Sequence, residues 1–164
     1  MGVLAVASAT AACSDGGDPA AERGKVAALR ADPIFEVDVP GGVPRRLLYN
    51  GGHGGTTPTS ARAWRVWTQE VADESTFLDV LRQARAAGVA PKTVLCSSRF
   101  AIVGTKAVGS WVATALITMA RSGDLRTEAE LTIEPGSQRT KSYRGPPEVG
   151  PDCSAAVRSA ALAG

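Results

Sequence analysis

The sequence predicts a two-layer α+β domain, an antiparallel sheet of about five to six strands with one main helix packed on one face. Three observations carry this. Along residues 125–134, Leu125, Thr127, Ala129, Leu131 and Ile133 alternate with Arg126, Glu128, Glu130, Thr132 and Glu134, the period of a half-buried strand. Between Glu74 and Ala87, the residues Phe77, Leu78, Leu81 and Ala84 instead recur at helical spacing. Finally, the connections after Gly88 are short, and parallel strands would need long crossovers, so the later strands pair antiparallel.

Each element has a local reason. Asp18 to Ala31 reads as a short helix, because Pro19 suits the first helical position and Val26, Ala27 and Leu29 supply an apolar side that Pro33 terminates. Ile34 to Val39 alternates apolar and acidic residues and is expected to be a strand. Pro40-Gly41-Gly42 turns the chain, and Arg46 to Tyr49 is expected to return as the second arm of a hairpin, with Pro44 placing that pairing near a sheet edge. Residues 50–60 are a glycine-rich connection. Ala63 to Val71 fits both periods, and its Trp, Val and Thr content favours a strand.

The main helix, about Glu74 to Ala87, has Asp73 or Ser75 as cap, Arg82 and Arg85 toward its C-terminal end and Gly88 as its stop, with Pro91 marking the break. A three-stranded meander follows: Thr93 to Val103, a turn around Gly104 to Gly109, Trp111 to Ala120, then Leu125 to Glu134. Residues 135–152, rich in Pro, Gly and basic side chains, read as a surface excursion. The tail from Ser154 forms a helical turn or frays.

The 164 residues suit one domain. Eighteen basic and sixteen acidic side chains leave a net charge of +2, scattered along the chain, so nucleic acid is not an expected partner. The longest apolar stretch, Ala107 to Ala120, is interrupted by Gly109, Ser110, Thr114 and Thr118, and falls short of the roughly twenty apolar residues of a spanning helix.

Of the three cysteines, Cys13 stands apart. It follows an uncharged apolar run, Val3 to Ala12, that ends in Thr10-Ala11-Ala12, and it precedes the polar stretch Ser14-Asp15-Gly16-Gly17-Asp18. This order resembles the lipobox of bacterial lipoproteins, which implies acylation of the Cys13 thiol, cleavage before it and residence on the outer face of the cell membrane. Thr10 stands where Leu is usual. No Lys or Arg occurs before Arg23, although signal peptides open with basic residues, so the true start is expected upstream of Met1. The alternative is an alanine-rich first element with Cys13 as a small buried side chain.

The expected organisation is a signal sequence over 1–12, a lipid-anchored tether and short helix over 13–31, an α+β core over 32–134 and a C-terminal excursion over 135–164, tied back by Cys153. With Cys13 lipidated, Cys96 and Cys153 are left as an even pair in an oxidising compartment, where a disulfide is expected. It would close a loop of nearly sixty residues, credited with roughly 4 kcal/mol by chain entropy. Two unrelated buried thiols in a reducing cytosol are the alternative. Neither lies in a Cys-x-x-Cys motif.

The mature region also resembles a loose group of small actinobacterial lipoproteins. The resemblance runs over roughly residues 30–135 and rests on Asp32-Pro33, the Pro40-Gly41-Gly42 turn, Arg85-Ala86-Ala87-Gly88, the Cys96 strand and Trp111-Val112-Ala113. It implies an envelope location and an α+β layout. It carries over no activity and no catalytic residue.

Few chemistries find their residues here. His53 is the only histidine, which excludes a His-based zinc cluster, and no cofactor is expected. Its setting, Gly51-Gly52-His53-Gly54-Gly55, is similar to the His-Gly-Gly oxyanion loops of esterases, but no Gly-x-Ser-x-Gly elbow and no second His accompany it. Gly104 to Ser110 has the look of a phosphate loop, yet Lys106 does not follow the last glycine, and a hairpin turn accounts for it better. Glu128 and Glu130 share a strand face, with nothing to push their acidities apart.

Trp64 and Trp67 would point to opposite faces of a strand, leaving one outside the helix-covered core, either as a contact surface or covered by the tail or the glycine-rich loop. His53, Trp64 and Trp67 are therefore the candidate contacts for a ligand or partner, with no catalytic or metal-binding residue assigned. The expected function is a non-enzymatic binding or accessory role for a lipid-anchored envelope protein, its partner an envelope protein or small ligand. A secreted hydrolase with a site near His53 is the rival. A carrier with an apolar cavity between helix and sheet is a third reading.

Overall fold

The structure, a computed structural model, describes residues 19–51, 60–70, 72–121, 125–135 and 145–163, so Cys13, the residues before it and His53 lie outside the described residues. Three helices occur among these, α1 (Pro19–Arg30), α2 (Glu74–Ala86) and α3 (Ala155–Leu162). They accompany eight strands: β1 (Gly42–Pro44), β2 (Leu48–Gly51), β3 (Ala61–Gln69), β4 (Val89–Leu95), β5 (Arg99–Val108), β6 (Trp111–Ala120), β7 (Arg126–Ile133) and β8 (Glu148–Val149). All the strands belong to one open sheet in the order β1-β3-β7-β6-β5-β4-β8, with β2 also on β3. Every pairing is antiparallel except β4 with β8.

The α+β class holds, with a larger sheet and more helices than the five to six strands and one main helix expected. The reason lies in segments too short to carry a period. The two residues of β8 sit in the Pro- and Gly-rich stretch read as an excursion, and pair with Thr93 and Val94. Their neighbour Cys153 is buried against Cys96. Ser154 then caps α3, its hydroxyl accepting from the Val157 amide.

β3 and β4 run the same way on opposite sides of the β7-β6-β5 meander, and α2 is the crossover that joins them. Asp73 starts α2 by accepting from the Thr76 amide. Phe77, Val80, Leu81 and Ala84 then face the sheet, where the Phe77 ring stacks on Phe100 with centroids 4.6 Å apart. Leu29 of α1 and Val157 of α3 close the same layer. The interlayer is filled by these side chains with Phe35, Ile102 and Met119, which gives the cavity-carrier reading no support.

Four local expectations are corrected. Residues 34–39 are not a strand: Pro33–Glu36 form a single 3₁₀ turn, because the Asp32 carboxylate accepts from the Ile34 amide at 2.9 Å and nucleates the turn. β1 and β2 do not form a hairpin with each other. Both pair with β3, Pro44 opposite Trp67 and Leu48 opposite Trp64, so the chain bends through 45–47 and continues along one edge. Thr93 to Val103 is not one strand, since Cys96 to Ser98 turn the chain between β4 and β5. Pro91 lies inside β4, tolerated where the register shifts between Pro91 and Thr93.

The fourth correction is the turn at Gly104 to Gly109. Gly104 to Val108 continue β5, and only Gly109 and Ser110 turn. Gly104 is there for close approach: a Cβ on it would stand 2.4 Å from the Ala90 carbonyl oxygen. Lys106, one full alternation further, points into the protein. There its ammonium meets the Asp32 carboxylate, Nζ to Oδ2 3.5 Å, and donates to the Ala87 carbonyl at the end of α2.

Candidate functional site

Alternation along β3 separates the two tryptophans. Trp67 is 3% exposed and belongs to the helix-covered core, whereas Trp64 is half-buried on the opposite face. No described helix lies over that face. Directly opposed residues on it form continuous rows, and one row runs Leu48, Trp64, Glu130, Leu116, Val103 across five strands. The next carries Val66, Glu128, Thr118, Ala101 and Leu95. A third, starting at Arg62, carries Thr132, Thr114 and Thr105. The surface is therefore aliphatic along its middle and hydroxyl-bearing beside it.

Charge on this face is largely internal to it. Arg62 crosses from β3 to grip Glu130 on β7 in a two-point contact, Nε to Oε1 3.0 Å and Nη2 to Oε2 2.6 Å, while its guanidinium lies 5.8 Å from the Trp64 ring centroid. Thr132 also donates to Glu130, at 2.9 Å. This fixes the Trp64 surroundings and satisfies the carboxylate that interrupts the apolar row. At the far end, Arg99, Arg121 and Arg126 gather with Ser98, Thr118 and Glu128 around a cleft of about 290 Å³. Arg121 is held there by the Cys96 and Ser97 carbonyls, at 2.9 and 2.8 Å, above the Phe100 ring.

A second surface was not legible as a site in the sequence. Along the β1–β2 edge, Val43 is 61%, Leu48 46% and Tyr49 44% exposed. These are half of the exposed large hydrophobic side chains among the described residues. They flank the exposed Arg45 and Arg46. Tyr49 faces α1, and Arg30 stacks on it with Cζ 4.5 Å from the ring centroid. Arg23, Val26, Ala27, Arg30, Tyr49 and Gly51 line an open cleft of about 430 Å³ between α1 and β2. The signal was the run Val43-Pro44-Arg45-Arg46-Leu47-Leu48-Tyr49, which breaks alternation with adjacent basic and large apolar residues.

The cysteines meet. Cys96 and Cys153 stand at disulfide distance, S–S 2.01 Å and Cα–Cα 5.0 Å, with both buried. Their union ties the turn after β4 to the segment before α3. Among the described residues no three His, Cys, Asp or Glu side chains come together as a metal-binding group. No described helix is long and apolar enough to cross a membrane. Comparison with protein-family models, curated proteins and solved structures finds no match to this chain.

Proposed function

We propose that this protein is exported, is held on the outer face of the cell membrane by acyl chains on Cys13, and serves there in a binding role without catalysing a reaction. The observation that carries the reading is the meeting of Cys96 and Cys153. Two cysteines 57 residues apart, both buried and within bonding distance, suit an oxidising compartment. They also leave Cys13 as the one cysteine without a partner of its kind, in a segment that resembles a lipobox. The uncovered sheet face supports the binding part. A broad face centred on Trp64 and Leu116, with hydroxyls beside the apolar row, suits a macromolecular contact better than a small-molecule site, which is normally concave.

The test is direct. Cells expressing the full chain are labelled with radioactive palmitate, and the membrane-extracted protein is weighed intact. Label on the wild type, none on Cys13→Ser, and a mature N-terminus at Cys13 are expected; an unmodified Cys13 inside a longer chain ends the anchored reading. Turnover of ester or glycoside substrates by the wild type, lost in His53→Ala, would establish the hydrolase instead.

A further inference from the structure

We infer that the β1–β2 edge, together with the exposed side of α1, is the surface that lies against the membrane, and that its partner is an anionic phospholipid surface. This deepens the anchored reading and rests on it.

Covalent length comes first. Residues 14–18 separate Cys13 from Pro19, so an acylated Cys13 holds the start of α1 within about 22 Å of the lipid even with the chain fully extended. α1 adds only about 17 Å from Pro19 to Arg30, so a neighbour of this helix is within reach of the bilayer. β2 is that neighbour, through the Arg30–Tyr49 stack and the cleft they share.

Charge comes second. The exposed charged residues of α1 are Arg23 and Arg30, since Glu22 is turned inward and pairs with Lys25 through one carboxylate oxygen at 2.7 Å. Arg45 and Arg46 add two more cations on the adjoining edge. Glu36, Asp38 and Glu70 are the acids at the β1 end, and Glu36 is paired with Arg65 at 3.3 Å. The balance along the edge is basic. Between the arginines stand Val43 and Leu48 on the uncovered side of the edge and Tyr49 on its α1 side, and apolar or amphipathic side chains beside cations are what an interfacial surface uses, the former entering the headgroup layer and the latter meeting phosphates.

A second copy of the chain fits less well. Two such edges pairing antiparallel would bring Arg45-Arg46 against Arg45-Arg46, and Pro44 withholds a ladder donor.

The experiment uses the full chain carrying Cys13→Ser, so that no acyl chain contributes. It is floated with vesicles of phosphatidylcholine alone and with phosphatidylglycerol added. Binding to the mixed vesicles is expected to exceed binding to the neutral ones by at least about tenfold and to weaken with salt. With each arginine near an anionic surface worth about fivefold, Arg45→Gln/Arg46→Gln should raise the half-saturating lipid about 25-fold. Leu48→Ser/Tyr49→Ser should weaken binding at high salt too, and Arg82→Gln on α2 should change nothing. Equal binding to both vesicles, unchanged binding of the edge variants, or a dimer in gel filtration that the edge variants dissolve would each overturn the assignment. Palmitate labelling of the wild type separates the two proposals. An unacylated Cys13 with vesicle binding intact removes the anchor alone; an acylated Cys13 with no vesicle binding removes the edge alone.

Discussion

Lys106 and Asp32 form an ion pair inside the protein, 3.5 Å from Nζ to Oδ2, with the two residues 6% and 7% exposed. It joins three parts of the fold, since Lys106 is on β5, Asp32 precedes the 3₁₀ turn, and the Ala87 carbonyl that also accepts from Lys106 ends α2. Lys106→Met should cost about 3–5 kcal/mol, because it strands a buried carboxylate. Urea denaturation would measure this, and a loss under 1 kcal/mol would show that the carboxylate had found water or another cation.

Asp32→Asn should be milder, because an amide oxygen can still accept from Ile34 and the stranded Lys106 keeps the Ala87 carbonyl. Burial raises the Asp32 carboxyl above the usual carboxylate pKa, against the opposing pulls of the Ile34 amide and Lys106. A raised acid binds its proton more readily in the folded chain. Its contribution to stability is complete below about 3.8 and is lost as pH rises through the folded value. Wild type should therefore lose ground to Asp32→Asn as pH rises from 3 toward 7, and added to Lys106→Met the substitution should recover part of the loss. A wild-type advantage that grows with pH would reverse the sign.

Gly104→Ala should destabilise by about 1–3 kcal/mol or prevent folding, because the Ala90 backbone cannot retreat from a Cβ without opening the β4–β5 ladder. Amide exchange should quicken first in β4.

Trp67→Ala and Trp64→Ala should part company. The first empties a core position and should cost about 3–5 kcal/mol, whereas the second should cost about 1 kcal/mol and leave near-ultraviolet dichroism from the core intact. Equal losses would mean that Trp64 is covered.

Reduction should lower the midpoint of unfolding by an amount corresponding to roughly 4 kcal/mol, and Cys96→Ser/Cys153→Ser should show the same loss and no further response to dithiothreitol. A midpoint indifferent to reductant would remove the bond from the stability of the fold.

Long elements were legible because their periods are long enough to read. β6 and β7 appear within a residue of the alternation that marks them, and α2 follows its stripe and its Asp73 cap. Trp64 and Trp67 separate by the same alternation that any strand imposes. The edge was not legible in this way. Pro44 marked this stretch as near a sheet edge, but Leu48 and Tyr49 read as one arm of a hairpin until the sheet order shows β2 with β3 as its strand partner.

By itself, the sequence determined the α+β class, the main helix and the two central strands, because local periodicity and caps act within a few residues. Tertiary structure decided the rest. It turned Ile34 to Glu36 into a 3₁₀ turn through one Asp32 side chain, drew Lys106 out of an apparent turn into a buried pair, brought Cys153 to Cys96 and set β1 and β2 side by side on β3. Each of these depends on contacts between residues far apart in the chain or on a single polar group, and neither leaves a periodic trace.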